Sequence, residues 1–149
     1  SRHADRQALA REFGATDIVE ERGDEGVARI KELTDGLGAH STIEAVGTQE
    51  SMMQVIKATR ACGHVGYVGV THDVTLSGMD LFFSGVHLHG GPAPVRRFLP
   101  ELIDLIWKRE IDPGKVFDLT LPLDRAAEGY TAMDERTAIK VLLTPPSAG

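Results

Sequence analysis

Two histidines, His87 and His89, are the first candidates for chemistry because imidazole is a common metal ligand. Residues two apart on a strand share a face, so both rings could approach one ion. A zinc site, however, needs three or four protein ligands. Cys62 is the sole cysteine, and no cysteine or acidic residue lies at a suitable spacing from the pair. We therefore predict no metal site in this chain.

Glycines close two of the predicted strands, in the sequences Val46-Gly47 and Val68-Gly69-Val70. Open parallel sheets bind their ligands beyond the carboxyl ends of the strands. A residue without a side chain also lets the backbone approach a ligand closely. A plain turn after a strand favours glycine as well, so ligand contact and simple turn geometry both remain open.

Helices and strands are predicted to alternate along the chain, which is typical of a parallel sheet covered by helices. The first helix is predicted to begin at an Asp5 cap and to end at Gly14, and a short strand follows at 16–19. Further helices are predicted at 24–33, from a Thr48 cap to Thr59, at 81–83, 95–108 and 124–133, and further strands at 41–46, 62–70, 86–89, 116–121 and 138–143.

Composition limits the possible functions. The chain has 149 residues, 42% of them hydrophobic and 26% charged, as in ordinary globular domains. A net charge of −6 argues against general nucleic-acid binding. The longest uncharged stretch, at 61–71, is too short and too rich in glycine to span a bilayer. With one cysteine no internal disulfide can form, so we expect a cytoplasmic protein in which Cys62 packs as a small apolar residue.

Five segments, taken in order, resemble the C-terminal part of the zinc-dependent, medium-chain alcohol dehydrogenases. They are FGATDIV, IEAVG, GHVGYVGV, HLHGGPAP and KVFDLTLPLDRAAEGYTAMDERTAIKVLL, and the likeness extends over 1–145. The resemblance implies an incomplete, Rossmann-type, doubly wound parallel α/β sheet that lacks its first two strands. It also implies a truncated dinucleotide-binding domain at 1–90 and, at 91–149, a returning C-terminal segment whose helix and strand belong to the catalytic domain.

The chain contains no GxGxxG phosphate loop. In the family this loop and the zinc ligands precede the region that is matched, so the resemblance implies a fragment that is inactive alone and binds no zinc. Without its neighbours the strand at 16–20 would be unpaired. We expect the chain either to form a homo-oligomer through exposed strand edges or to rearrange its first forty residues.

The resemblance also implies cofactor contacts. An acidic residue normally follows the second strand of a dinucleotide-binding domain, whereas this chain has Ser1 and Arg2, which favours NADP(H) over NAD(H). Lys140 matches a basic position near the cofactor phosphates, although a solvent-facing lysine is an equal alternative. The remaining implied contacts come from the ends of three strands: Val46, Gly47, Val68, Gly69, Val70, His87 and His89.

Glu44 is a polar residue inside a predicted strand, and the sequence offers no firm role for it. We expect it to contact either a helix N-terminus or the partner strand.

The function implied for the intact protein is hydride transfer between NADP(H) and an alcohol or carbonyl substrate. Two alternatives remain open. One is a zinc-free quinone or enone oxidoreductase of the same superfamily. The other is a non-enzymatic assembly or nucleotide-sensing module that keeps the fold without turnover.

Overall fold

A computed structural model describes residues 3–146, which contain six α-helices, two short 3-10 helices and five strands. The helices are α1 (Ala4–Glu12), α2 (Gly23–Glu32), α3 (Gln49–Ala58), α4 (Gly78–Ser84), α5 (Val95–Trp107) and α6 (Ala126–Asp134). The strands are β1 (Ala39–Glu44), β2 (Thr59–Tyr67), β3 (His87–Gly90), β4 (Phe117–Pro122) and β5 (Lys140–Thr144). The prediction of a parallel α/β fold is confirmed, because every strand pair is parallel.

The chain divides into two compact units. The first unit, Ile18–Val95, contains a three-stranded sheet in the order β1-β2-β3. Helix α3 presents Met52 and Ile56 to Val65 of the central strand, and these three side chains form a buried core. Burying apolar surface against the sheet is what holds the helix in place.

Helix α3 begins where the sequence predicted. Thr48 is its N-cap, and the Thr48 and Ser51 side chains each bond the backbone N–H of the other residue in a capping box. These bonds satisfy N–H groups that have no partner inside the helix. The cap therefore fixes the direction in which the chain leaves β1.

The second unit comprises residues up to Asp17 together with those from Arg96 onward. Its sheet contains β4 and β5, joined by α6. Gly129 of α6 is buried, and a Cβ there would lie 3.1 Å from a methyl group of Val141, so the small residue lets helix and strand pack closely. Asp118 accepts hydrogen bonds from the N–H groups of Ile139 and Lys140 at the start of β5. Partial desolvation alone would raise the pKa of Asp118, but these bonds hold it below its ordinary value.

Two predictions near the start of the chain are wrong. Residues 15–22 form no strand, and no described strand pairs with them. A strand needs a neighbour for its backbone groups, so strand-like composition alone does not produce one. The N-cap of α1 is His3 rather than Asp5, which lies within the first turn of the helix.

The prediction that Cys62 packs as an apolar residue is also wrong. Its backbone has a φ of +58°, and the side chain is exposed. The pairing of β1 with β2 moves from Ala39↔Thr59 to Ser41↔His64, so residues 60–63 of β2 lie opposite the single residue 40 of β1 and form a bulge. The bulge turns Cys62 away from the core.

Candidate functional site

The carboxyl ends of the three parallel strands meet at one edge of the first unit's sheet. Glu44 of β1 lies opposite Tyr67 of β2, which lies opposite Gly90 of β3. The pairing continues past the strand ends. The Val68 N–H donates to the Glu44 carbonyl (2.8 Å), and the Gly91 N–H donates to the Tyr67 carbonyl (3.0 Å). Three loops therefore leave the sheet side by side, and we name residues 45–48 the first loop and residues 68–72 the second loop.

The first two loops touch through their backbones, and glycine makes this contact possible. Gly47 has a φ of +90°, and a Cβ on it would lie 2.1 Å from the Val70 carbonyl oxygen. A Cβ on Gly69 would lie 2.5 Å from the Gly47 nitrogen. Neither position can hold a side chain without moving the opposite loop.

Exposed valines lie on these two loops. The exposed fractions are 67% for Val46, 55% for Val68 and 72% for Val70. We name the two touching loops, with Gly47 and Gly69 at their contact, the cradle. Exposed apolar side chains on the cradle suit the flat face of a ring or the carbon skeleton of a sugar.

The two histidines of β3 lie at different distances from this edge: His89 is one residue from the carboxyl end of the strand, whereas His87 is its first residue. His87 and His89 are both exposed. The His87 ring stacks on the ring of His64, its register partner in β2, with centroids 4.8 Å apart and planes inclined by 20°. The sequence carried no signal for this pair, because strand register is set by tertiary pairing.

Three predicted cofactor residues are not among the described residues of the first unit. Lys140 is exposed at the start of β5, in the second unit. Ser1 and Arg2 lie outside the described residues. Their cofactor role therefore stays a prediction.

Glu44 is the buried charge at this edge, with 1% of its surface exposed. Its Oε1 accepts hydrogen bonds from the Val46 N–H (2.7 Å), the Gly47 N–H (2.8 Å) and the Ser51 hydroxyl (2.7 Å). Burial alone would raise the pKa of Glu44, but the bonds from Gly47, Ser51 and Val46 outweigh it, and the pKa lies below its ordinary value. Ser51 lies in the first turn of α3, so the expected contact with a helix N-terminus is confirmed.

The described residues fit a nicotinamide cofactor but not a zinc ion. Within residues 3–146 no three His, Cys, Asp or Glu side chains come together in a group able to hold a metal, so the residues present do not fit zinc. The exposed side chains of Val46, Val68 and Val70, which surround the contact between the first and second loops, do fit a planar ligand with an apolar face. Over the same residues, no helix is long and apolar enough to cross a membrane.

Comparison with known proteins gives a consistent family. The profile of the zinc-binding dehydrogenase family matches residues 1–108. The chain is 38% identical over 123 residues to a probable zinc-binding alcohol dehydrogenase of Mycobacterium tuberculosis, covering 79% of this chain and 32% of that protein. It is 30% identical over 114 residues to an NADP-dependent isopropanol dehydrogenase of Entamoeba histolytica, covering 72% of this chain and 31% of that protein.

A solved structure shows the same architecture. An alcohol dehydrogenase from Thermus sp. ATN1 superposes with a TM-score of 0.87 at 26% identity, covering 97% of this chain and 43% of the other. The chain thus spans about a third of the length of the curated relatives it matches and less than half of this structure.

Proposed function

Because this chain belongs to the zinc-binding dehydrogenase family, we propose that it forms the nicotinamide-binding part of an NADP(H)-dependent alcohol dehydrogenase. The intact enzyme would transfer a hydride between NADP(H) and an alcohol or carbonyl substrate. The metal ligands and the proton relay would come from residues outside this chain, which alone would turn over no alcohol. Its single cysteine favours a cytoplasmic location.

The observation that carries this proposal is the cradle formed by the first and second loops. Gly47 and Gly69 bring the two backbones together at the carboxyl edge of the sheet, and Val46, Val68 and Val70 remain exposed around them. Nicotinamide cofactors bind at this edge of open parallel sheets. When bound, the nicotinamide supplies the hydride donor or acceptor.

The residues of the chain would orient this cofactor. The valines would pack against the ribose and the nicotinamide ring, and the loop backbone would offer hydrogen bonds. His89, near the end of β3, would flank the same edge. The preference for NADP(H) draws on Ser1, Arg2 and Lys140, since a hydroxyl and two cations suit a phosphate, and on the similarity to an NADP-dependent isopropanol dehydrogenase.

Titration of the isotope-labelled 149-residue chain with NADPH, followed by NMR, tests the proposal. We expect weak binding, with amide shifts concentrated at Val46, Gly47 and Gly69. Val68→Glu should abolish these shifts by placing a carboxylate against the cofactor. Leu37→Glu is the matched control, because Leu37 is 65% exposed just before β1, at the opposite edge of the sheet.

Three results would count against the proposal. Shifts confined to the second unit, or no shifts at all, would contradict a cofactor site at this edge. Equal shifts with NADH and NADPH would contradict the preference for the phosphorylated cofactor. Micromolar affinity would contradict the expectation that a phosphate loop outside this chain supplies most of the binding energy.

A further inference from the structure

Resting on the proposed function, we infer that Glu44 is a positioning residue that holds the first and second loops together in the arrangement that receives the nicotinamide half of the cofactor. Glu44 itself does not reach the cofactor, because it is 1% exposed. It acts through the residues that do.

The Glu44 side chain controls the first loop. One oxygen, Oε1, receives the N–H groups of both Val46 and Gly47 and the Ser51 hydroxyl, all within 2.8 Å. Two consecutive N–H groups directed at one oxygen fix the orientation of both peptides. Ser51 joins the same oxygen to the first turn of α3, so the loop, the helix and the end of β1 are tied at a single point.

The Glu44 main chain controls the second loop. Its carbonyl oxygen accepts hydrogen bonds from the Val68 N–H at 2.8 Å and the Gly69 N–H at 3.3 Å. The other carboxylate oxygen, Oε2, lies against Gly69, where a Cβ would be 2.5 Å away. One residue therefore contacts both loops, and the second loop can approach it only because position 69 is glycine.

The charge of Glu44 matters as well as its shape. Oε2 is buried and has no hydrogen-bond partner among the described residues, which is unfavourable for a polar atom. A neutral acceptor would avoid the burial of a charge. Hydrogen bonds to an ionised acceptor are, however, shorter and roughly twice as strong as those to a neutral one. The carboxylate of Glu44 thus loses its solvation, but its stronger hydrogen bonds hold the first loop firmly.

The substitution Glu44→Gln tests this inference because it keeps the shape and removes the charge. Asp118→Asn is the matched control, since Asp118 is also a carboxylate that accepts two consecutive backbone N–H groups, but in the sheet of the second unit. Amide hydrogen exchange of the 149-residue chain should accelerate at least about tenfold at Val46 and Gly47 in Glu44→Gln. The exchange rate should also rise at the amides of Val68 and Gly69, which donate to the Glu44 main-chain carbonyl. In Asp118→Asn the exchange rates of these loop amides should stay unchanged.

NADPH affinity separates a positioning role from a purely structural one. Compared at equal folded fraction, Glu44→Gln should weaken NADPH binding at least about threefold, as expected for weakened charged hydrogen bonds. The control for affinity is Glu128→Gln, because Glu128 is a carboxylate of the second unit that bonds Arg125, and this variant should leave the affinity unchanged. Equal loss of affinity in both variants would overturn the inference. So would parental exchange rates in Glu44→Gln at all four amides.

Failure of the proposed function gives a different result. If NADPH shifts no amide of the parent chain, the cofactor proposal fails, and the exchange rates alone decide whether Glu44 couples the two loops. If Glu44→Gln does not fold, Ser51→Ala replaces it, because it removes one of the three donors to Oε1. Thr48→Ala is then the control, since Thr48 belongs to the capping box but no Thr48 atom bonds the Glu44 carboxylate. Ser51→Ala should accelerate exchange at Val46 and Gly47 more than Thr48→Ala does, and the reverse order would overturn the inference.

Discussion

Cys62 has a backbone conformation that is unfavourable for a residue with a side chain. With a φ of +58° it occupies the left-handed region, which costs an ordinary residue about 1–2 kcal/mol. The conformation persists because the bulge at 60–63 imposes it, and the exposed thiol gains little from packing in return. Glycine would fit this position without strain.

We therefore predict that Cys62→Gly stabilises the protein. Relief of the left-handed strain exceeds the extra chain entropy that glycine brings to the unfolded state, leaving a gain of about 0.5–1 kcal/mol in the free energy of unfolding. Urea denaturation monitored by circular dichroism measures it. Ala61→Gly is the control, because Ala61 has no positive φ and should lose stability. A stability loss in Cys62→Gly would contradict the strain argument.

At the scale of elements, the loop between β1 and α3 is defined by its contacts on every side. Glu44 bonds its backbone, the Thr48 and Ser51 capping box fixes its exit into the helix, and Gly47 touches the second loop. Each contact involves a different neighbour. The loop should therefore tolerate little change although its valine is exposed.

We predict that Gly47→Ala destabilises the protein far more than Gly14→Ala. The backbone φ is +90° at Gly47 and +98° at Gly14. Left-handed strain therefore costs each alanine variant about 1–2 kcal/mol. Only at Gly47 does the new Cβ meet another chain segment, at 2.1 Å from the Val70 oxygen, whereas nothing lies within 4 Å at Gly14. Urea denaturation of the two variants separates strain from collision. Equal losses would show that the loops move apart at no cost.

At the scale of the whole molecule, two sheets carry strands with unpaired edges. Among the described strands, β1 and β3 each have one neighbour, and β4 and β5 pair only with each other. Ile43 beside the free edge of β1 is 74% exposed. Unprotected strand edges and exposed apolar side chains favour pairing with another chain.

We predict that the 149-residue chain self-associates through these edges. Sedimentation velocity should show an average mass that increases with concentration. Ser41→Lys on β1 and His87→Lys on β3 should reduce association, because lysine on an edge strand opposes strand pairing. Ala8→Lys on the exposed side of α1 is the control and should have no effect. A monomer at all concentrations would contradict the prediction.

The sequence alone determined the order of the helices and strands from residue 23 onward, the parallel α/β class and the positions of the glycine loops. These features follow from local periodicity and from backbone preferences, as the Thr48 cap and the strands ending near Gly47 and Gly90 illustrate. The tertiary structure alone decided that residues 15–22 form no strand, that Cys62 faces outward, and that His64 stacks on His87. It also assigned Glu44 to both loops. Each of these outcomes depends on which distant backbone groups pair and in which register, and no local pattern specifies that choice.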